Sequence, residues 1–236
     1  MEVKLTKKPK NPIVIEGFPG FGLVGTITTE FLIDHLKAKL IGTIEMDEIP
    51  AMVAIHEKKI VQPIGIFYDQ KTNIVIVHVI TSVVGVEWQM SALLTKMAKD
   101  LGAKEVISIE GVGSTSLEEE PKCFYYANTD KSIKIFEKNN IPPLKEGIIM
   151  GVTGALLTKT LNMPLACVFA ETHSSLPDSK ASAKVIEVLD KYLNLKLDPK
   201  PLLQQAEAFE SKIKGILEQG QEAQKEQLNK RLNYVG

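Results

Sequence analysis

Residues 12–25 read PIVIEGFPGFGLVG, and this stretch decides the fold. Its opening apolar run, residues 12–16, is short, rich in β-branched residues and followed by Gly17, which predicts a buried strand. Apolar residues after the glycines recur every three or four positions, which predicts a helix that runs to about Lys39. A strand, a glycine loop and a helix in this order are typical of the start of an α/β domain.

Apolar runs downstream continue the alternation of strands and helices. The predicted strands lie at residues 40–45, 51–56, 60–67, 74–80, 105–110 and 163–171. The predicted helices lie at residues 86–101, 151–161 and 180–193, the last capped by Asp178. The segments 124–128 and 133–136 suggest a hairpin or an insertion. The pattern predicts a mostly parallel, mixed sheet with helices on both faces, whose antiparallel part lies between residues 40 and 80.

Composition excludes several classes of protein. The 236 residues carry a formal net charge of −1, so the chain has no overall basic character for nucleic acid. No apolar run reaches the length of a membrane span, and no apolar signal segment follows the first residues. The two cysteines, Cys123 and Cys167, are too few for a disulfide framework. We therefore expect a cytoplasmic protein without nucleic-acid or membrane partners.

The composition changes at Pro199, which divides the chain into an α/β domain (1–198) and a C-terminal helical arm (199–236). The arm is rich in Gln, Glu and Lys, and its apolar residues alternate at spacings of four and three. These apolar residues are Leu202, Ala206, Phe209, Ile213 and Ile216. The arm either docks on its own domain or packs against another subunit or partner. We expect the second role, with Leu202, Phe209, Ile213 and Ile216 as contact residues.

The glycine loop contains a literal G-x-G-x-x-G pattern in residues 20–25, and Glu45 follows about 20 residues later. Such a pattern binds dinucleotides when a tight turn places the pyrophosphate on the helix amides. Here the strand ends at Gly17, so Phe18 and Pro19 lengthen the turn. The alternative is that the glycines allow the loop and helix to pack closely. We favour this structural interpretation and predict no cofactor.

Three predicted strands end in a carboxylate: Glu16, Glu110 and Glu171. Ligands of open α/β sheets bind at the carboxyl edge of the strands, where these side chains could hold a cation or transfer protons. Alternatively, each glutamate orders its turn by accepting hydrogen bonds from loop amides. Cys167 falls within an apolar strand, which predicts a buried and inert thiol. No recognisable catalytic constellation is present, so a non-enzymatic protein is the main expectation.

Residues 12–25 resemble the signature of the proteasome-assembly-chaperone family, in particular its archaeal branch. The segments 105–113, 147–157 and 166–172 extend the similarity, which covers about residues 12–215. The family-motif loop comprises Gly17, Phe18, Pro19, Gly20, Phe21, Gly22 and Gly25. The resemblance implies an α/β fold related to nucleoside phosphorylases and peptidyl hydrolases, without established chemistry. It also implies homo- or hetero-oligomers that bind proteasome subunits.

Chaperones of that family that engage the proteasome α-ring often end in a hydrophobic residue, tyrosine and one last residue. This chain ends in Asn233-Tyr234-Val235-Gly236, which is similar but has Asn before the tyrosine and two residues after it. Tyr234 and Val235 are therefore further candidate contact residues. The resulting hypothesis is a homo-oligomeric assembly chaperone or scaffold. The alternative is a small-molecule or nucleotide-binding enzyme that uses the glycine loop 17–25 and the strand-end carboxylates.

Overall fold

The structure, a computed structural model, describes residues 2–49, 53–56, 58–113, 120–159, 162–172 and 177–204. The strands are β1 (Glu2–Leu5), β2 (Ile13–Gly17), β3 (Lys39–Glu45), β4 (Ala54–His56), β5 (Lys59–Val61), β6 (Ile64–Asp69), β7 (Ile74–Val79), β8 (Glu105–Gly113), β9 (Cys123–Ala127) and β10 (Leu165–Thr172). The helices are α1 (Val24–Leu36), α2 (Glu87–Asp100), α3 (Asp130–Lys138), α4 (Gly151–Lys159), α5 (Ser179–Leu193) and α6 (Lys200–Gln204).

Eight of these strands form one mixed sheet in the order β1-β3-β6-β7-β2-β8-β10-β9. The four central strands β7, β2, β8 and β10 are parallel. Antiparallel strands flank them, namely β6, β3 and β1 on one side and β9 on the other. The expected α/β architecture, with its antiparallel part between residues 40 and 80, is therefore confirmed.

Each face of the sheet is covered by helices, because the central strands are apolar on both sides. Val14, Val106 and Phe169 belong to the core under α2 and α4. Ile15 and Ile107, one residue further along the same strands, belong to the core under α1, α3 and α5. This alternation follows from the period of two residues in a strand, and it assigns successive residues of the central strands to the two layers in turn.

The predicted strand 60–67 is interrupted, and the prediction of one continuous strand is wrong. Pro63 lies between β5 and β6 and has no backbone N–H to donate to a ladder. Residues before Pro63 pair with β4 in a separate two-stranded sheet, whereas residues after it join the main sheet.

The segment 133–136, suggested as part of a hairpin or insertion, is helical and lies within α3. Thr129 caps this helix by accepting a hydrogen bond from the backbone N–H of Ser132 at 3.2 Å. Phe136 is buried and stacks between Tyr125 and Tyr192, with ring centroids 4.5 and 4.3 Å away. Ile133 and Phe136, three positions apart, thus mark the buried face of a helix.

Local signals read from the sequence are confirmed at several helix ends. Asp178 accepts a hydrogen bond from the backbone N–H of Ala181 at 2.9 Å and so caps α5, as predicted. Gly102, just after α2, has a φ of +62°, a conformation that favours glycine. Within the described ranges, no helix is long and apolar enough to cross a bilayer.

Candidate functional site

The glycine loop between β2 and α1 is packed backbone against backbone. A side chain at Gly17 would collide with the carbonyl of Gly25, and one at Gly25 would lie 2.8 Å from the carbonyl oxygen of Ile109. Gly22 has a φ of +61°, and its carbonyl accepts a hydrogen bond from the backbone N–H of Asp178 at 2.9 Å. Close approach of the loop to β8 and α5 therefore requires these glycines, as the structural interpretation of the motif predicts.

Gly20 lies against a carboxylate. A Cβ added to this residue would overlap Oε1 of Glu110, which extends from β8 toward the loop. In a dinucleotide site the same glycines approach a pyrophosphate, which carries negative charge. The Glu110 carboxyl occupies the space next to Gly20, and its ionised form would repel such a group. The surroundings of the loop are therefore unsuited to phosphate.

The three strand-end glutamates all lie on the face of the sheet that α2 and α4 cover, since they alternate with residues of the opposite layer. They are not level with one another. Glu16 is level with Ser108 of β8, Glu110 is level with Phe169 of β10, and Glu171 is level with Val112. Glu110 and Glu171 therefore lie about 7 and about 13 Å further along the strands than Glu16.

Glu16 is the deepest of the three and is completely buried. Neither of its carboxyl oxygens has a hydrogen-bond partner in the part of the chain that the structure describes. Burial raises the pKa of Glu16 to about 8, against the effect of the neighbouring Ser108 hydroxyl and with a further rise from the charge of Glu110. The side chain is therefore mostly protonated and neutral at pH 7.

Glu110 lies nearer the surface than Glu16, and its carboxyl group accepts only some of the hydrogen bonds that it could accept. Its Oε2 accepts a hydrogen bond from the hydroxyl of Thr153 on α4 at 3.1 Å, and Thr153 lies 2.9 Å from the hydroxyl of Ser108. Burial raises the pKa of Glu110 to about 7, although the bonds from Thr153 and the backbone of Gly111 lower it. Near neutral pH this carboxyl is thus divided between its charged and neutral forms.

A cavity of about 1110 Å³ opens at this carboxyl edge of the sheet. Its walls are formed by the glycine loop, residues 80–84 after β7, the end of β8, the beginning of α4 and residues 142–150, which connect α3 to α4. Both Glu110 and Glu171 line it, whereas Glu16 lies outside its lining. Across the described ranges, no three His, Cys, Asp or Glu side chains are grouped as metal ligands.

Some of the site residues predicted from the sequence lie at the cavity, and others do not. Phe18, Pro19, Gly20 and Phe21 line the cavity. Leu202, expected in a partner contact, is only 3% exposed and belongs to the core around α5. Because α6 packs on α5, the arm predicted from residue 199 begins with a segment attached to the α/β domain. Phe209, Ile213, Ile216, Tyr234 and Val235 lie outside the described residues.

Sequence reasoning missed Ser108 and Thr153, which together connect the surroundings of Glu16 and Glu110. Ser108 could have been found, because it interrupts an apolar strand two positions before Glu110 and so shares its face. Thr153 could not, since its position depends on how α4 packs on the sheet. The predicted burial of Cys167 is confirmed, and burial raises its pKa well above the ordinary value.

The fold and the site together define an open α/β sheet protein with a glycine loop and a cavity at the carboxyl edge. Residues 14–217 match the model of the PAC2 family. An uncharacterized protein of Methanocaldococcus jannaschii is 31% identical over 223 residues, 92% of each chain. The chain belongs to the PAC2 family, which confirms the resemblance derived from its glycine loop.

Solved structures agree with this assignment. The structure of Pyrococcus furiosus PbaA, described as an archaeal homolog of proteasome-assembly chaperone, matches with a TM-score of 0.84 and 30% identity. The match covers 94% of this chain and 100% of PbaA. A Thermoplasma acidophilum protein of unknown function matches with a TM-score of 0.83 and 25% identity, covering 94% of this chain and 92% of that one. The likeness to an assembly-chaperone homolog agrees with the expectation of a non-enzymatic protein.

Proposed function

We propose that this protein is a non-catalytic assembly chaperone or scaffold that binds proteasome subunits, or a related complex, as a homo-oligomer. The observation that carries the proposal is the similarity to PbaA, which extends over nearly the whole of both chains. Membership of the PAC2 family supports the same role. The cytoplasm, where such a partner would be met, is the proposed location.

The surface of the α/β domain offers apolar contact area for such a role. Ile55 of β4 and Ile60 of β5 are direct cross-strand neighbours, and they are 74% and 64% exposed. At the mouth of the cavity, Val84 and Ile148 are 83% and 90% exposed. Grouped apolar side chains in water mark surfaces that become covered by other proteins. The small sheet of β4 and β5 is a candidate surface for self-association, because an isolated two-stranded sheet is marginally stable.

The arm adds a second candidate contact, through Phe209, Ile213 and Ile216 and through the tail residues Tyr234 and Val235. The residues from Gly220 onward contain few apolar side chains, too few to offset an ordering cost of about 1–2 kcal/mol per residue of backbone. Segments of this composition gain order when a partner supplies the missing apolar surface.

Capture of purified proteasome α-subunits on the immobilised protein tests the partner. The full chain should retain α-subunits, and a chain lacking residues 220–236 should retain fewer while its melting temperature stays nearly unchanged. A deletion that lowers the melting temperature by many degrees would show that the tail stabilises the fold. Absence of capture by the full chain would contradict the proposed partner.

Light scattering tests the oligomer. Closed symmetric assemblies are the usual state of homo-oligomers, and we expect a particle larger than a dimer at micromolar concentration. The double variant I55D/I60D should reduce the particle mass without lowering the helix content seen by circular dichroism. A monomeric wild-type protein would contradict the proposal, and an unchanged mass of the variant would exclude the β4–β5 surface.

A calorimetric titration separates this function from the nucleotide-binding alternative. We expect no heat from NAD or ATP, because Glu110 occupies the position next to Gly20 where a phosphate would approach. A micromolar dissociation constant for either nucleotide would favour the enzyme alternative.

A further inference from the structure

The interior of the cavity at the carboxyl edge is not accounted for by the exposed protein contacts proposed at its mouth. Its volume of about 1110 Å³ is slightly above the range of about 300–1,000 Å³ that is common for ligand pockets, so it has room for a small organic molecule. Apolar side chains form most of its described wall, among them Phe18, Ile80, Phe124 and Val152. The body of a ligand would therefore be apolar.

The charged groups of the wall are mainly negative. Among the described residues that line the cavity, four are glutamates and one is a lysine, Lys145. The glutamates are Glu87, Glu110, Glu146 and Glu171. Lys145 and Glu146 are exposed on the segment 142–150, so their charges are well solvated. Glu87 and Glu171 are half-buried, whereas burial of the Glu110 carboxyl group raises its pKa to about 7. A positive ligand group would complement the carboxylate of Glu110.

Glu110 also has unused capacity to accept hydrogen bonds. A carboxylate can accept about four, and Glu110 receives one from the Thr153 hydroxyl and one from the backbone of Gly111. Lys145, the lysine among the described residues that line the cavity, forms no ion pair with Glu110. The remaining lone pairs of Glu110 therefore suit a donor supplied by a ligand.

We propose that the cavity binds a small organic cation, a protonated amine on an apolar body, with Glu110 as the counter-ion. Glu16 provides no second charge at neutral pH, because it is buried behind the cavity and mostly protonated. The cationic group of the ligand lies beside Glu110, at the end of the cavity where the glycine loop meets β8.

Three probes of similar size and different charge test the proposal: 2-phenylethylamine, 2-phenylethanol and phenylacetate. Calorimetric titration of the full-length protein at pH 7.5 should give a dissociation constant for the amine about 10–100 times lower than for the alcohol, with still weaker binding of phenylacetate. This is the range expected when a charged hydrogen bond replaces a neutral contact.

The variant E110Q should abolish the preference for the amine over the alcohol and leave the weak affinity for the alcohol unchanged. Glu137 is exposed on α3, away from the cavity. The matched variant E137Q, with the same change in net charge, should retain the preference. If E110Q retains it, or if the wild-type protein binds all three probes equally or none of them at millimolar concentration, the proposal is overturned.

A second variant tests the location without removing a charge. Val112 lines the cavity and lies two positions after Glu110 on β8, so both side chains are on the same face of the sheet. The variant V112F places a larger side chain on this wall and should weaken both the amine and the alcohol, with circular dichroism as the check on folding. Unchanged affinities in a folded V112F would place the amine elsewhere and overturn the assignment.

The pH dependence gives an independent measure. Glu87, Lys145 and Glu171 share the wall of the cavity with Glu110. Burial, together with the charge of Glu110, raises the pKa values of Glu16 on β2 and Cys167 on β10. Between pH 6 and 7.5 Glu110 is the group among these that ionises, since its pKa is about 7. Amine affinity should increase over this interval in the wild-type protein and stay constant in E110Q. Affinity that falls as pH rises would contradict the role of Glu110.

Discussion

Strand β8 carries one carboxylate at its amino end, Glu105, and a second in its carboxyl half, Glu110, and these two parts of the strand differ in the hydrogen bonds that their carboxylates accept. At the amino end, Glu105 accepts hydrogen bonds from the hydroxyl of Ser132 on α3 and from that of Tyr192 on α5, the latter at 2.8 Å to both oxygens. In the carboxyl half, Glu110 keeps free acceptor positions and its neighbour Glu16 has no partner in the described structure.

The difference distinguishes a structural carboxylate from a candidate binding one. Glu105 and Glu110 are five positions apart, an odd number, so they lie on opposite faces of the sheet. Glu105 ties α3 and α5 to β8, and the Tyr192 ring also stacks on Phe136. Burial of an unpaired carboxyl costs free energy. Glu16 and Glu110 are carboxyl groups of this kind, and they lower the stability of the folded protein. Such a loss of stability is typical of functional sites.

The largest effect is expected at Glu16. Its pKa is raised from 4.5 to about 8 in the folded protein, so the folded form binds more protons than the unfolded form between these values. The stability of the wild-type protein should therefore fall as pH rises through this window. E16Q, which stays neutral, should be more stable by on the order of 3–5 kcal/mol at pH 7–8 and nearly equal to wild type at pH 4.

Urea denaturation at pH 4, 6 and 8 measures this difference, with E137Q as the control for the loss of one negative charge. A stability gain in E16Q that is the same at every pH would contradict the buried, protonated state of Glu16.

The opposite sign is expected at the amino end of β8. E105A should lower the free energy of unfolding by about 2–4 kcal/mol, because the hydroxyls of Ser132 and Tyr192 lose a charged acceptor in a buried place. The exposed E137A on α3 should change it by less than about 0.5 kcal/mol. Urea denaturation at pH 7 distinguishes them, and a loss in E105A as small as that in E137A would remove the contrast between the two parts of the strand.

A smaller effect should connect the glycine loop to Glu110. G20A should cost about 1–2 kcal/mol, because its methyl group displaces the Glu110 carboxylate from its position. In the background of E110A the obstacle is absent, and the cost should fall by about 1 kcal/mol. A double-mutant cycle from denaturation curves measures this coupling. Equal costs of G20A in both backgrounds would show that Gly20 is required for another reason.

The sequence by itself determined the features that depend on residues close to one another along the chain. Apolar alternation and runs predicted the central strands, the glycine pattern predicted a loop with close backbone contacts, and Asp178 was predicted as the cap of α5. These signals are local, because strand periodicity, helix capping and glycine conformation act over a few positions. The same glycine stretch carried the family resemblance.

The tertiary structure alone decided the environments of the carboxylates. The sequence predicts Glu16, Glu110 and Glu171 at strand ends. Their relative positions along the strand direction depend on the register between strands. The neutral state of Glu16 depends on complete burial, and the half-satisfied state of Glu110 depends on Thr153 of α4. The burial and the hydrogen bonds of a side chain depend on residues that are distant in the sequence. The same residue type can therefore have a structural role at Glu105 and be a candidate ligand group at Glu110.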